Sequence, residues 1–218
     1  MYDQEIIQKT EEYVKSVLQG DSSGHDWWHI YRVRNLARYI CRAEKSELYI
    51  VELAALLHDI ADWKFHGGDD SIGPKTARAW LEKQSAGEEV MSHICEIIKD
   101  ISFKGAKVET PMQTLEGKVV QDADRLDALG AIGISRVFAY VGAKGSEIYN
   151  PDIPVKLHSS FDEYKSKSTA INHFYEKLLL LKDRMNTETA KKIAEKRHKV
   201  MEEYLKQFFM EWDGMDFT

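Results

Sequence analysis

Apolar residues recur at intervals of three and four along most of the chain and nowhere sustain a strict alternation, so the pattern predicts helices and no sheet. Ile6, Ile7, Tyr13, Val14 and Leu18 mark an amphipathic helix over residues 4–18, which Gly20 and DSSG break. A second helix is expected over about 27–43, with Ile30, Val33, Leu36, Ala37 and Ile40 as its core face. The third, ELYIVELAALLHDIAD, is apolar nearly all round from Leu48 to Leu57 and carries polar side chains only near its end. That is the pattern of a helix buried on most sides. A Gly-rich stretch, KFHGGDDSIGP, separates it from helices expected near 75–84 and 87–100. After SFKGAKVETP come a helix near 113–128 and, past Gly130, a short one over AIGISRVFAYVG. Residues 142–168 hold two prolines and no sustained periodicity. Such long irregular segments are usually functional or mobile, and a lid ordered by substrate is one role it suits. Helices resume over about 169–182 and 188–210, with Asn186 and Thr187 as capping candidates between them. The expected fold is all-α, one compact domain over residues 1–218.

Composition narrows the function classes. A net charge of −6 argues against a general binder of nucleic acid or anionic membrane, which leaves small molecules as partners. No apolar run is long enough to span a bilayer, and the N-terminal stretch has no apolar signal region. Cys41 and Cys95 sit in apolar helical patterns without C-x-x-C spacing, as reduced core thiols of a cytoplasmic protein would.

The chemistry-bearing residues fall in a few places. HDWWH, residues 25–29, sets two histidines four apart with an acid between them, as in a zinc-protease helix. Against that reading, DSSG ends just before His25, which places His25 at or outside the helix start. Asp26 is also one methylene shorter than the Glu such a base requires. His29, by contrast, is in phase with Val33, Leu36 and Ile40 on the inward face. A lone inward histidine is more often a satisfied core residue than a ligand. His58 and Asp59 at the end of the buried helix supply company, because an imidazole and a carboxylate buried side by side need a partner or a cation. Asp62, four residues after His58, adds a third polar group there. A second acidic cluster, QDADRLDALG, offers Asp122, Asp124 and Asp127. Asp122 and Asp124 point about 200° apart on a helix, and the core phasing does not choose between them.

In order along the chain, His29, the doublet His58-Asp59 and a later Asp within DADRLDALG resemble the H…HD…D signature of the HD superfamily of metal-dependent phosphohydrolases. HDWWHIYRV, LLHDIADWKF, VVQDADRLDALGAIGISRVF and the tail from FYEKLLLLKDRMNTETAKKIAEKRH onward are similar to the YpgQ/YedJ-type branch, over roughly residues 20–214. The resemblance implies an HD-domain helical bundle with its core at about 25–130 and the C-terminal helices, about 169–210, packed on it. It implies His29, His58, Asp59 and Asp124 as metal ligands, the last because the family's final ligand precedes a basic residue, here Arg125. His25 matches no ligand position. Two imidazoles and two carboxylates suit one divalent ion, with Mn2+ foremost and Fe2+, Ni2+, Zn2+ or Mg2+ as alternatives.

The same resemblance implies acid–base work for Asp62, where relatives often carry Glu. Lys64, Arg32 and Arg125 are candidates for neutralising phosphate charge. Gly67 and Gly68 are candidates for close backbone approach to phosphates. Arg34, Arg38 and Arg42 read as a solvated helix face. Trp27 and Trp28 read as aromatic core packing before base stacking, and His66 and His93 as histidines that a second metal would recruit. The expected activity is hydrolysis of a phosphorylated small molecule, foremost a nucleoside or deoxynucleoside triphosphate giving a monophosphate and pyrophosphate. A homodimer is allowed. The competing readings are a non-catalytic nucleotide or metal sensor using the same pocket, and a di-iron bundle using EKRH, residues 195–198, for which no second Glu-x-x-His element is found.

Overall fold

The computed structural model describes residues 3–20, 26–61, 71–160 and 168–217. Among them are nine α-helices, one 3-10 helix and no strand. The helices are α1 (Gln4–Val17), α2 (Trp27–Glu44), α3 (Leu48–Leu57), α4 (Ile72–Lys83), α5 (Glu88–Asp100), α6 (Leu115–Asp127), α7 (Gly130–Ala143), α8 (Ala170–Glu176) and α9 (Glu188–Trp212), with the 3-10 turn at Leu178–Arg184 between the last two. The all-α expectation is met. No single helix among the described residues is long and apolar enough to cross a membrane.

Helix starts follow side-chain capping. The Asp3 carboxylate accepts from the backbone N–H groups of Glu5 and Ile6 at the start of α1. Thr169 accepts from Asn172 N–H at α8, and Thr187, one of the two capping candidates, accepts from Ala190 N–H at α9. Two expectations are corrected. The helix expected over 169–182 breaks at Lys177, where φ −141° and ψ −61° leave the helical region, and continues as the 3-10 turn. The third helix ends at Leu57, and Ile60 N–H bonds to the Leu57 carbonyl at 3.2 Å, so His58, Asp59 and Ile60 lie in a tight turn.

Close neighbours group the chain into two compact units. The first comprises the described residues up to Phe103 together with Glu109–Asp124. In it α3 packs against α1, α2 and α5, and α4 packs on α5. Its core includes Ile7, Val14, Ile30, Val33, Leu53, Leu56, Leu81 and Ile94, all fully buried. Tyr13 of α1 stacks on Trp80 of α4 with centroids 4.0 Å apart, and the Trp80 indole N–H donates to Thr10 Oγ1 at 2.9 Å. Arg34 departs from the solvated stripe expected of it: it donates to Glu52 of α3 and Glu11 of α1, whereas Arg42 is exposed as expected.

The second unit comprises Lys104–Val108 and the described residues from Arg125 onward, so the boundary falls inside α6, between Asp124 and Arg125. Here α7 packs against α8 and α9, and the 3-10 turn against α8 and α9. Phe138, Phe174 and Tyr204 cluster at centroid separations of 5.8–6.4 Å. The Arg184 guanidinium donates to the carbonyls of Gly105, Ala106 and Val108, and Arg125 Nη1 donates to the Arg184 carbonyl. Arg197 Nη1 donates at 2.5 Å to the Leu126 carbonyl, which also accepts from Leu129 N–H at 3.1 Å at the end of α6. Gly130 follows with φ +70°, and a Cβ there would come within 3.1 Å of the Arg197 side chain. Of the irregular segment, residues 146–160 contain no helix and are tied down at several points: Lys156 N–H donates to Glu176 at 3.1 Å and Asn172 Nδ2 to the Ile153 carbonyl at 2.8 Å. Residues 161–167 lie outside the described residues.

Candidate metal centre

His29 occupies the first turn of α2, fully buried, and the reason α2 begins there is Asp26. Its carboxylate accepts from His29 N–H at 3.0 Å, so the acid of HDWWH is a helix cap. His25 lies outside the described residues. Asp26→Ala is expected to cost about 1 kcal/mol in urea unfolding while any turnover stays within about tenfold of the parent. Loss of a general base would instead cost about 10²–10⁴ in rate.

His58 enters from the C-terminal end of α3. Its Nδ1 donates to the Ala55 carbonyl at 2.9 Å, which fixes the ring and directs Nε2 toward His29. The two Nε2 atoms lie 3.2 Å apart. Asp59 Oδ2 stands 3.3 Å from His29 Nε2 and 3.7 Å from His58 Nε2. Asp124 Oδ1, from α6, stands 3.5 and 3.7 Å from the same two atoms. His29, His58 and Asp59 have donor atoms all within 4.8 Å of one another, and Asp124 joins them through both imidazoles. Asp122 is fully buried two residues earlier in α6. The geometry therefore favours Asp124, which periodicity alone left undecided.

The donor set fits a divalent cation. Bonds of about 2.1 Å place neighbouring donors about 3.0 Å apart at octahedral angles and about 3.4 Å apart at tetrahedral ones. The observed separations of 3.2–3.7 Å overlap that range at its upper end. Electrostatics point the same way, since two carboxylates and two imidazole nitrogens converging in a largely buried space require a cation among them. Without a metal, that cation is a proton. Burial pushes the His58 imidazolium pKa down, but the Asp59 and Asp124 carboxylates and the Ala55 carbonyl outweigh it and raise the pKa to about 9. Burial likewise pushes the Asp124 carboxyl up, and the His58 and His29 side chains more than reverse this, holding it well below the usual carboxylate range.

The His58 contribution to metal-free stability is full below the unfolded value of about 6.5 and is lost as pH rises through about 9. The Asp124 contribution is full above about pH 4 and is lost on further acidification. Metal loading must displace the His58 proton, so apparent Mn2+ affinity is expected to rise from pH 6.5 toward pH 9, with about one proton released per ion. Calorimetric titration in buffers of different ionisation enthalpy measures that proton; an affinity flat across the range contradicts the assignment.

Arg32 is half-buried on α2, three residues past His29. Arg125 is only 6 % exposed and donates to the Arg184 carbonyl, so this expected phosphate ligand is engaged in packing the second unit. Asp62, Lys64, His66, Gly67 and Gly68 lie outside the described residues. His93 bonds Thr114 Oγ1 at 2.9 Å, and His198 faces Glu202 at 3.4 Å, while Glu195 is exposed. Trp28 is not core: it is 59 % exposed, edge-on to Tyr31 at 5.8 Å, whereas Trp27 is half-buried beneath Lys15. Cys41 and Cys95 are both free.

Comparison with known proteins supplies the family context. The HD domain family model matches residues 27–129, the span holding all four converging side chains. YpgQ of Bacillus subtilis is 40 % identical over 208 residues, covering 94 % of this chain and 92 % of YpgQ. The crystal structure of YpgQ in complex with ADP superposes with a TM-score of 0.74 at 40 % identity, covering 96 % of this chain and 100 % of that one. An HD-superfamily hydrolase from Bacillus thuringiensis superposes with a TM-score of 0.72 at 46 % identity, covering 96 % and 98 % of the two chains.

Proposed function

Because this chain belongs to the HD-domain superfamily, alongside YpgQ, we propose that it is a divalent-metal phosphohydrolase that converts nucleoside or deoxynucleoside triphosphates to monophosphates and pyrophosphate. The observation that carries the reading is the cluster of His29, His58 and Asp59 donor atoms within 4.8 Å of one another, with an Asp124 oxygen 3.5 and 3.7 Å from the two imidazole nitrogens. The ADP complex of YpgQ supports a nucleotide as the ligand class. The superfamily implies a divalent metal, and Mn2+ is the ion we assign first.

When bound, the ion supplies Lewis acidity toward a phosphoryl oxygen and activation of a water nucleophile. His29, His58, Asp59 and Asp124 would hold it. Asp62 orients the attacking water and takes its proton, and Lys64 and Arg32 neutralise charge developing on the phosphate oxygens. Gly67 and Gly68 let the backbone approach the phosphates. The free cysteines suit the reducing cytoplasm in which we place the protein.

The test is a product-resolved assay. Mn2+-loaded protein is presented with a panel of nucleoside and deoxynucleoside mono-, di- and triphosphates, beside the Asp124→Ala variant. Pyrophosphate and monophosphate, absent with the variant, are the expected products. Orthophosphate or tripolyphosphate would move the cleaved bond, and binding without any product would make the pocket a sensor.

A further inference from the structure

The interior of the first unit holds a charge that the proposed chemistry does not use. Glu52 lies in the middle of α3 and is fully buried. Arg34 of α2 donates to its Oε1 from Nε at 3.0 Å, with Nη2 at 2.9 Å, and Arg38 Nε stands 3.5 Å away. Arg34 also reaches Glu11 of α1 through Nη1 at 2.6 Å. A buried ion pair is weak evidence for stability, because apolar side chains of similar volume often stabilise as well or better. The best-attested use of such a pair is to fix register.

Here register matters. Glu52 is the sole charged residue between Leu48 and Leu57, and α3 is buried on every side. Burial of apolar surface is non-directional, so an all-apolar helix has little to tell it how far to slide or rotate. The ion pair and the imidazole pair join the same two helices. From His29 to Arg34 is five residues along α2, and from His58 back to Glu52 is six along α3. At about 1.5 Å per residue the two ties are spaced about 8 and 9 Å apart on helices running in opposite directions. A slip of α3 by one residue would shift His58 by about 1.5 Å and rotate it by about 100°, ending its 3.2 Å approach to His29.

We infer that Arg34 and Glu52 are positioning residues for the metal centre, locking α3 against α2 so that His29 and His58 present their Nε2 atoms to one ion. The inference rests on the metal-binding part of the proposed function. It is tested with the full-length double variant Arg34→Met/Glu52→Leu, read by urea unfolding, by Mn2+ titration of the metal-free protein, and by the NMR contact between the His29 and His58 rings. The expected result is an unfolding midpoint at or above that of the parent, a loss of Mn2+ affinity of about tenfold or more, and loss of the ring-to-ring contact. A variant with parental stability, Mn2+ affinity within twofold of the parent and an intact ring contact overturns the lock. Should the double variant not fold, Arg34→Lys keeps the charge but not the guanidinium fork; it is expected to fold with weakened Mn2+ affinity, and parental affinity overturns the lock. A parent that binds no Mn2+ would refute the metal reading instead, and the ring contact would then judge the lock by itself.

Discussion

His58→Ala is expected to abolish divalent-metal binding and turnover together while leaving the helix content intact. The imidazole supplies one of four converging donors, and its removal leaves Asp59 and Asp124 with His29 as the remaining nitrogen. Loss of a partner that merely supports a ligand costs about 10–100-fold in metal affinity, so loss of a ligand itself should exceed about 100-fold. The fold should survive, because His58 stands just past the end of α3, in a turn, and the packed face of that helix lies before it. Mn2+ titration, circular dichroism and the product assay measure the three quantities. Parental metal affinity in this variant would move the metal elsewhere and remove the basis of the proposed function. Metal-free protein should also lose stability at pH 6, since the pKa raised to about 9 makes the imidazolium the counter-ion of the two carboxylates.

The second large effect is on stability. Glu52→Ala strips the buried partner from Arg34, whose side chain is 14 % exposed, and leaves Glu11 to compensate it alone. Breaking a buried pair from one side typically costs about 3–5 kcal/mol; the remaining Glu11 contact puts the expectation near the lower end. For a chain of this length that lowers Tm by about 6–12 °C. Chemical unfolding of Arg34→Met, Glu52→Leu and the double variant that combines them closes a double-mutant cycle. A single variant within about 1 kcal/mol of the parent would mean that the pair is solvated in solution.

The helices were legible because their apolar faces are long and regular, and His29 was legible as an inward residue in phase with Val33 and Ile40. What escaped did so for identifiable reasons. The run Leu178–Leu181 is apolar whether the backbone is α or 3-10, so the break at Lys177 left no trace in the pattern. Arg34 shares a stripe with Arg42, and nothing in spacing separates the arginine that meets Glu52 from the one in water. The signal that could have separated them is Glu52 itself, an acid inside an apolar run that demands a cation. Arg125 is a candidate for phosphate charge by its sign alone, and spacing could not show that its guanidinium donates to the Arg184 carbonyl.

Protein modules recombine through exposed linkers, where few contacts are severed. In this chain the joint between the two compact units lies within α6, immediately after Asp124. A recombination there would cut a helical turn, and the Arg197 contact that holds the Leu126 carbonyl would leave with the second unit. The two units are thus heritable as a pair, and exchanging the second for an unrelated domain would require rebuilding the end of the helix that carries Asp124.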